Sequence, residues 1–214
     1  LYPGARILSL GKDFDKGDRQ LFLQRIATGD YDMLIMTHEN MAKMQMRPET
    51  IKKYIGEEVA ELEAALVSAK KKQEVEDEDF EDSQPKYGRK KAKPKRKVAN
   101  DPVKQIEARK QKLEAELKKV TDNTDKDAIY FEDTGIDQLF VDEAHKFKNL
   151  PVQTSQTQVK GIPTLDSASA RAMDMLARCR YLQDRNDGRG VVFATGTPIT
   201  NTMAELYNMQ RFLQ

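Results

Sequence analysis

The chain has 214 residues, 33% of them charged, with a formal net charge of +1 and a mean hydropathy of −0.74. That length suits one ordinary domain or one domain with an appendage. No apolar run approaches the roughly 20 residues a membrane-spanning helix needs, so no membrane association is expected.

Leu1-Tyr2-Pro3-Gly4 has neither an initiator methionine nor the design of a signal peptide, so the chain reads as cut from a longer protein. The only cysteine, Cys179, excludes an internal disulfide and suits a reducing compartment, read here as cytoplasmic. Residues 1–48 form the first region. Arg6 to Leu10 reads as a short strand and Gly11 to Asp18 as a polar loop. Arg19 to Thr28, with Leu21, Phe22, Leu23 and Ile26, reads as a helix closed by Gly29. Met33 to Met36 reads as a second strand ending at Thr37-His38-Glu39. This order and spacing predict a parallel βαβ unit.

Residues 49–121 follow a different rule. Ile55, Val59, Leu62, Leu66 and Ala69 recur at heptad spacing, as do Val103, Ile106, Lys110, Leu113, Leu117 and Val120. Only Lys110 is out of character. Two narrow apolar stripes of similar length on charged helices predict an antiparallel coiled-coil hairpin. Between them, Glu74 to Asp82 holds seven acidic residues and Lys86 to Lys97 eight basic ones. With Pro85, Pro94 and Pro102 interrupting, residues 73–100 are expected to be a disordered tip. The basic run either grips phosphates or is a solvated linker neutralised by its acidic neighbour, and Tyr87 alone offers little for base stacking.

Residues 122–214 return to the α/β pattern. Gln138 to Val141 is a strand, and Ser167 to Leu182 a helix with Ala168, Ala172, Met175, Leu176, Cys179 and Leu182 on its apolar face. Val191 to Ala194 is another strand. Met203 to Leu213 is a closing helix with Leu206, Met209, Phe212 and Leu213 inward. The two flanks are expected to complete one sheet, with the hairpin as an insertion.

The strand at Leu139 stops at two adjacent carboxylates, Asp142 and Glu143, followed by Ala144, His145 and the tail Lys146-Phe147-Lys148-Asn149. Such a strand delivers both carboxylates to the carboxyl edge of a sheet, where open α/β folds bind ligands. One carboxylate can hold a magnesium ion through its water shell while the other orients or deprotonates a water. The plainer alternative is a helix start, with Asp142 as its cap and Glu143 favoured by the dipole. A second motif, Thr195-Gly196-Thr197-Pro198-Ile199-Thr200-Asn201, follows the strand at Val191. Its glycine is expected to allow a sharp turn. Alone it reads equally as a turn set by Pro198, with Asn201 capping the next helix.

In this order the two motifs resemble the motor core of helicase superfamily 2, and within it the Swi2/Snf2 group of DNA translocases. Asp142 to Asn149 matches the Asp-Glu-Ala-His pattern with its Lys-Asn tail. Thr195 to Asn201, followed by Glu205-Leu206, matches the next motif, and Tyr31 to Glu39 is similar to a strand ending in a threonine loop beside DNA. The similarity covers residues 1–48 and 122–214, and its flavour is that of the helicase-methylase proteins of phages and mobile elements.

The resemblance implies an α/β fold: an incomplete RecA-like parallel-sheet lobe of the P-loop NTPase type, with the coiled-coil hairpin inserted. It implies ATP and Mg2+ as cofactors. Asp142 would assist the magnesium, Glu143 would be the catalytic base and His145 would link hydrolysis to movement. Thr195, Gly196, Thr197 and Asn201 would couple the nucleotide site to DNA, with Thr37, His38 and Lys148 beside the tracked strand. Implied partners are DNA, duplex favoured, and the remaining motor lobes of the parent protein. A protein partner at the arm belongs to the alternative of a non-catalytic interaction module.

The sequence departs from that family pattern. A phosphate-cradling loop requires Gly-x-x-x-x-Gly-Lys-Ser/Thr. Here Gly11-Lys12 runs into Asp13, and Arg6 occupies the place of the first glycine. No second lobe with an arginine finger is evident, so little or no ATP hydrolysis is expected from these residues alone. His38, His145 and Cys179 lack the spacing of a zinc site.

Overall fold

A computed structural model describes residues 3–10, 19–82, 102–122, 128–150, 170–200 and 202–214. Strand β1 (Ile7–Ser9) leads into helix α1 (Arg19–Thr28) and strand β2 (Met33–Ile35). The strands pair in parallel, Ile7 opposite Met33 and Ser9 opposite Ile35. Leu8, Leu10 and Ile26 form the small core beneath them. Gly29 closes α1 for a steric reason. A Cβ there would lie 2.5 Å from the Arg25 carbonyl oxygen and 2.2 Å from the Tyr31 ring.

Helix α2 (His38–Lys43) begins where the Met33 strand was expected to continue into a loop. Thr37 caps it, accepting a 3.1 Å hydrogen bond from the Asn40 amide. Helices α3 (Pro48–Asp82) and α4 (Pro102–Asp122) form the arm. They run antiparallel, because Glu63 pairs with Lys110 at 2.6 Å while Lys70 pairs with Glu107 at 2.9 Å. Leu62, Ala69, Ile106 and Leu113 are buried along the arm, and Ile55 is buried at its root beside Met173 and Leu176. The side chains of Leu117 and Val120 lie outside the described residues.

The expected disordered tip is corrected over residues 73–82, which continue α3. Glutamate, glutamine and valine are compatible with a helix, and no proline intervenes before Pro85. The basic run Lys86 to Lys97 lies outside the described residues.

The chain re-enters the core through a 3-10 turn (Phe131–Thr134), whose Phe131 amide bonds the Gln45 carbonyl at 2.8 Å. Then follow β3 (Leu139–Val141), a second 3-10 turn (Ala144–Phe147), α5 (Ala170–Arg185), β4 (Val191–Phe193) and α6 (Met203–Gln210). Helix α5 is the centre of the main core, with Ala172, Met175, Leu176, Cys179 and Leu182 buried as the pattern predicts. Ala168 lies outside the described residues.

The expectation of one sheet is corrected. β1–β2 and β3–β4 are two separate parallel pairs, and no ladder joins them among the described residues. Each pair leaves one apolar face open: Ile7, Met33 and Ile35 on the first, Phe140 and Val192 on the second, with Phe140 69% exposed. In α6 and the turn after it, Met209 and Phe212 are buried as expected, Leu206 and Leu213 are exposed rather than inward, and Glu205 and Asn208 are also buried.

The arm is fastened at its root. Lys53 and Tyr54 of α3 both engage Asp184 at the end of α5, the Tyr54 hydroxyl at 2.9 Å. The Arg211 guanidinium bonds both oxygens of Glu58, at 2.7 and 2.9 Å. No helix among the described residues is long and apolar enough to cross a membrane.

Candidate functional site

β3 and β4 run side by side with Val141 opposite Phe193. The ladder continues one step beyond, the Ala194 amide donating to Val141 at 2.8 Å and the Ala144 amide to Ala194 at 3.0 Å. Those bonds hold the ends of the two motifs together at the carboxyl edge of the pair. Asp142 and Glu143 are exposed there, beside Thr195 and Gly196.

Glu143 turns the chain sharply, with φ 51° and ψ 42°. This left-handed conformation costs a non-glycine residue about 1–2 kcal/mol. The Ala144 bond to Ala194 and a 2.9 Å bond from the Glu143 amide to Asp142 Oδ1 hold the turn in place. The helix-start alternative is thereby corrected. No α-helix begins at Asp142, and Glu143 rather than Asp142 occupies the cap position of the 3-10 turn.

His145 ties the motifs together. Its Nδ1 lies 3.0 Å from Glu143 Oε2 and 3.1 Å from Thr195 Oγ1. An ionised carboxylate can only accept, so this geometry favours the tautomer with its proton on Nδ1. Thr195 Oγ1 in turn accepts the Thr197 amide at 3.1 Å. One polar chain therefore runs from the carboxylate through the imidazole into the second motif.

Gly196 has nothing within 4 Å of where a Cβ would stand and no left-handed φ. The chain bends at Gly196 as expected, but the bend does not depend on glycine, since the backbone here would accept an alanine. Asn201 lies outside the described residues, and the cap position of α6 belongs to Thr202.

His38 reaches the same edge from α2. Its ring packs edge-on against Phe147 at 5.1 Å between centroids. Burial holds its pKa below the ordinary histidine value, opposed by a hydrogen bond to the Asp142 backbone and assisted by the charges of Lys146 and Arg171. The imidazole is therefore neutral near pH 7, flanked by two exposed cations. Lys148 lies inside the structure instead. It pairs with Glu205 at 2.9 Å and also donates to the Thr200 hydroxyl, its side chain only 18% exposed. Thr37 Oγ1 serves the α2 cap.

Two structural residues escaped the sequence reading. Arg178, 1% exposed, pairs with Asp174 and donates to the Met41 and Met44 carbonyls, fastening the end of α2 to α5. Burial raises the Asp174 pKa while Arg178 opposes the rise. Asn208, fully buried, donates to the Lys148 and Leu150 carbonyls at 2.8 and 3.1 Å. An Asp-Arg pair four residues apart inside an apolar stripe was the available signal for the first. Nothing local marked the second.

No group of three or more potential metal-ligating side chains occurs among the described residues. The exposed carboxylates of Asp142 and Glu143 at this edge therefore form an open donor pair and not a closed protein cage for a metal.

The sequence model of a protein family described as "Probable helicase domain" matches residues 1–93 and 72–214. The chain is also similar to "Defense against restriction protein B" of Escherichia phage P1, 38% identical over 81 residues. That alignment covers 37% of this chain and 4% of the phage protein's length. No solved structure matches the chain.

Proposed function

The chain belongs to the probable helicase domain family, and from that premise we propose that it forms part of the first RecA-like lobe of an ATP-dependent DNA translocase or helicase of the Swi2/Snf2 kind. The reaction is hydrolysis of ATP coupled to movement along duplex DNA. The observation that carries this reading is the meeting of two separate motifs at one strand edge through the contacts of His145 with Glu143 and Thr195.

In this reading Asp142 would hold Mg2+, which would supply charge neutralisation at the phosphates. Glu143 orients the attacking water and accepts its proton. His145 senses the state of that carboxylate and passes it to Thr195, whose hydroxyl also holds the Thr197 amide. Lys148 keeps the two loops in register through Glu205 and Thr200. Beside His38, the exposed Lys146 and Arg171 are better placed than Lys148 to meet a DNA phosphate.

The open faces at Ile7, Met33, Ile35, Phe140 and Val192 suit coverage by further polypeptide of the same motor, including a phosphate-binding loop and a second lobe. The phage relative supports a phage or mobile-element source. The interaction-module alternative has no comparable geometric support.

ATP hydrolysis by the whole protein, with and without duplex DNA, tests the proposal. A magnesium-dependent rate that rises with DNA is expected, and no hydrolysis under either condition contradicts it. The 214-residue chain alone is expected to hydrolyse little or no ATP.

A further inference from the structure

We infer that α6 is a strut through which the root of the arm positions the Thr195–Thr200 loop, with Glu205 and Arg211 as its positioning residues. At its first turn, Glu205 is 5% exposed. Its carboxylate accepts the Thr200 amide at 2.6 Å, the Thr200 hydroxyl at 2.9 and 3.1 Å, and the Lys148 ammonium at 2.9 Å. In the middle, Asn208 binds the carbonyls on either side of Asn149. Just past the other end, Arg211 grips Glu58 of the arm, the two side chains 11% and 8% exposed.

Arg211 lies six residue steps beyond Glu205, about 9 Å at the usual helical rise. Both ends therefore carry charge pairs largely withdrawn from water, and such pairs are costly to separate, because each partner would be left buried and uncompensated. A shift of the arm root relative to the core cannot leave both pairs intact unless α6 moves with it. If α6 moves, Glu205 carries Thr200 and Lys148 along, one from each motif loop.

A competing anchor exists. Phe212 packs against Phe193 at 5.2 Å between centroids, and its carbonyl accepts from Gln183 at 3.0 Å, both on the core side. If that anchor alone fixed α6, the arm would be irrelevant to the loop. The inference concerns position only and holds whatever reaction the site performs.

Residue-resolved amide exchange on the protein decides between the anchors. Glu58→Gln and Arg211→Gln are each expected to speed exchange of the Thr200 amide severalfold relative to the core amides of α5. The charge-swapped pair, Glu58→Arg with Arg211→Glu, is expected to restore most of the protection. Glu63→Gln, which breaks the pair with Lys110 farther along the arm, is expected to leave Thr200 unchanged. The inference is overturned if Thr200 stays as protected in both single variants as in the parent. It is equally overturned if α5 loosens in step with Thr200, or if Glu63→Gln has the same effect as Glu58→Gln.

Discussion

Glu143 combines its proposed role as the base with a conformational cost. Its left-handed backbone (φ 51°) is one a glutamate adopts only when its surroundings impose it. Replacing it with glycine relieves about 1–2 kcal/mol of strain and adds back about 0.5–1 kcal/mol of backbone entropy. Glu143→Gly is therefore expected to melt no lower than the parent despite losing the contact with His145. A clear drop in Tm in thermal denaturation would show that the turn is unstrained. Tyr54 gives a second test at this scale. Burial, helped by the hydrogen bond to Asp184, pushes its phenol from 10.0 up to about 12. Below pH 10 the folded and unfolded states both keep the proton, and stability is unaffected. Between about 10 and 12 the unfolded chain ionises first, so the folded state loses ground as pH rises. Tyr54→Phe should flatten that part of the pH–stability curve, and an unchanged curve would contradict the assignment.

At the scale of elements, the arm is governed by its seam. Lys110 occupies an apolar position of α4 and is held by Glu63 across the seam and by Glu114 on its own helix. A polar residue at such a position lowers stability while fixing register. Lys110→Leu is expected to raise the melting temperature of the arm, read by helical circular dichroism, and a fall would mean that the ion pairs outweigh the lost burial. This seam was legible in the sequence because its heptad spacing is local and repeated. The central face of α5 was legible for the same reason. The buried face of α6 was legible only in part. Met209 and Phe212 are buried as hydrophobicity expects, but Leu206 and Leu213 are exposed, and Glu205 and Asn208 are buried in addition. Glutamate enters the core because Lys148 and Thr200 hold its carboxylate, and asparagine because its amide donates to the Lys148 and Leu150 carbonyls; all of these partners except Thr200 lie more than 50 residues away. The separation of the two strand pairs was hidden likewise. Short apolar runs announce strands but not which strands pair.

Across the whole molecule, the strand ends, the arm root and α6 meet on one helical core. The carboxylate motif was readable as a strand terminated by acid, and the threonine motif as a strand terminated by a turn. That His145 would join them, and that Lys148 would turn inward to Glu205, required contacts 50 or more residues apart in sequence. The proposed hydrolysis requires Glu143 to be the group that acts on the water. The most direct test is DNA-stimulated ATP hydrolysis by the whole protein carrying Glu143→Gln, with nucleotide binding measured in parallel. Loss of a positioned general base is expected to lower turnover by about 10²–10⁴-fold while ATP still binds. Turnover equal to the parent would contradict the assignment of this edge as the catalytic site.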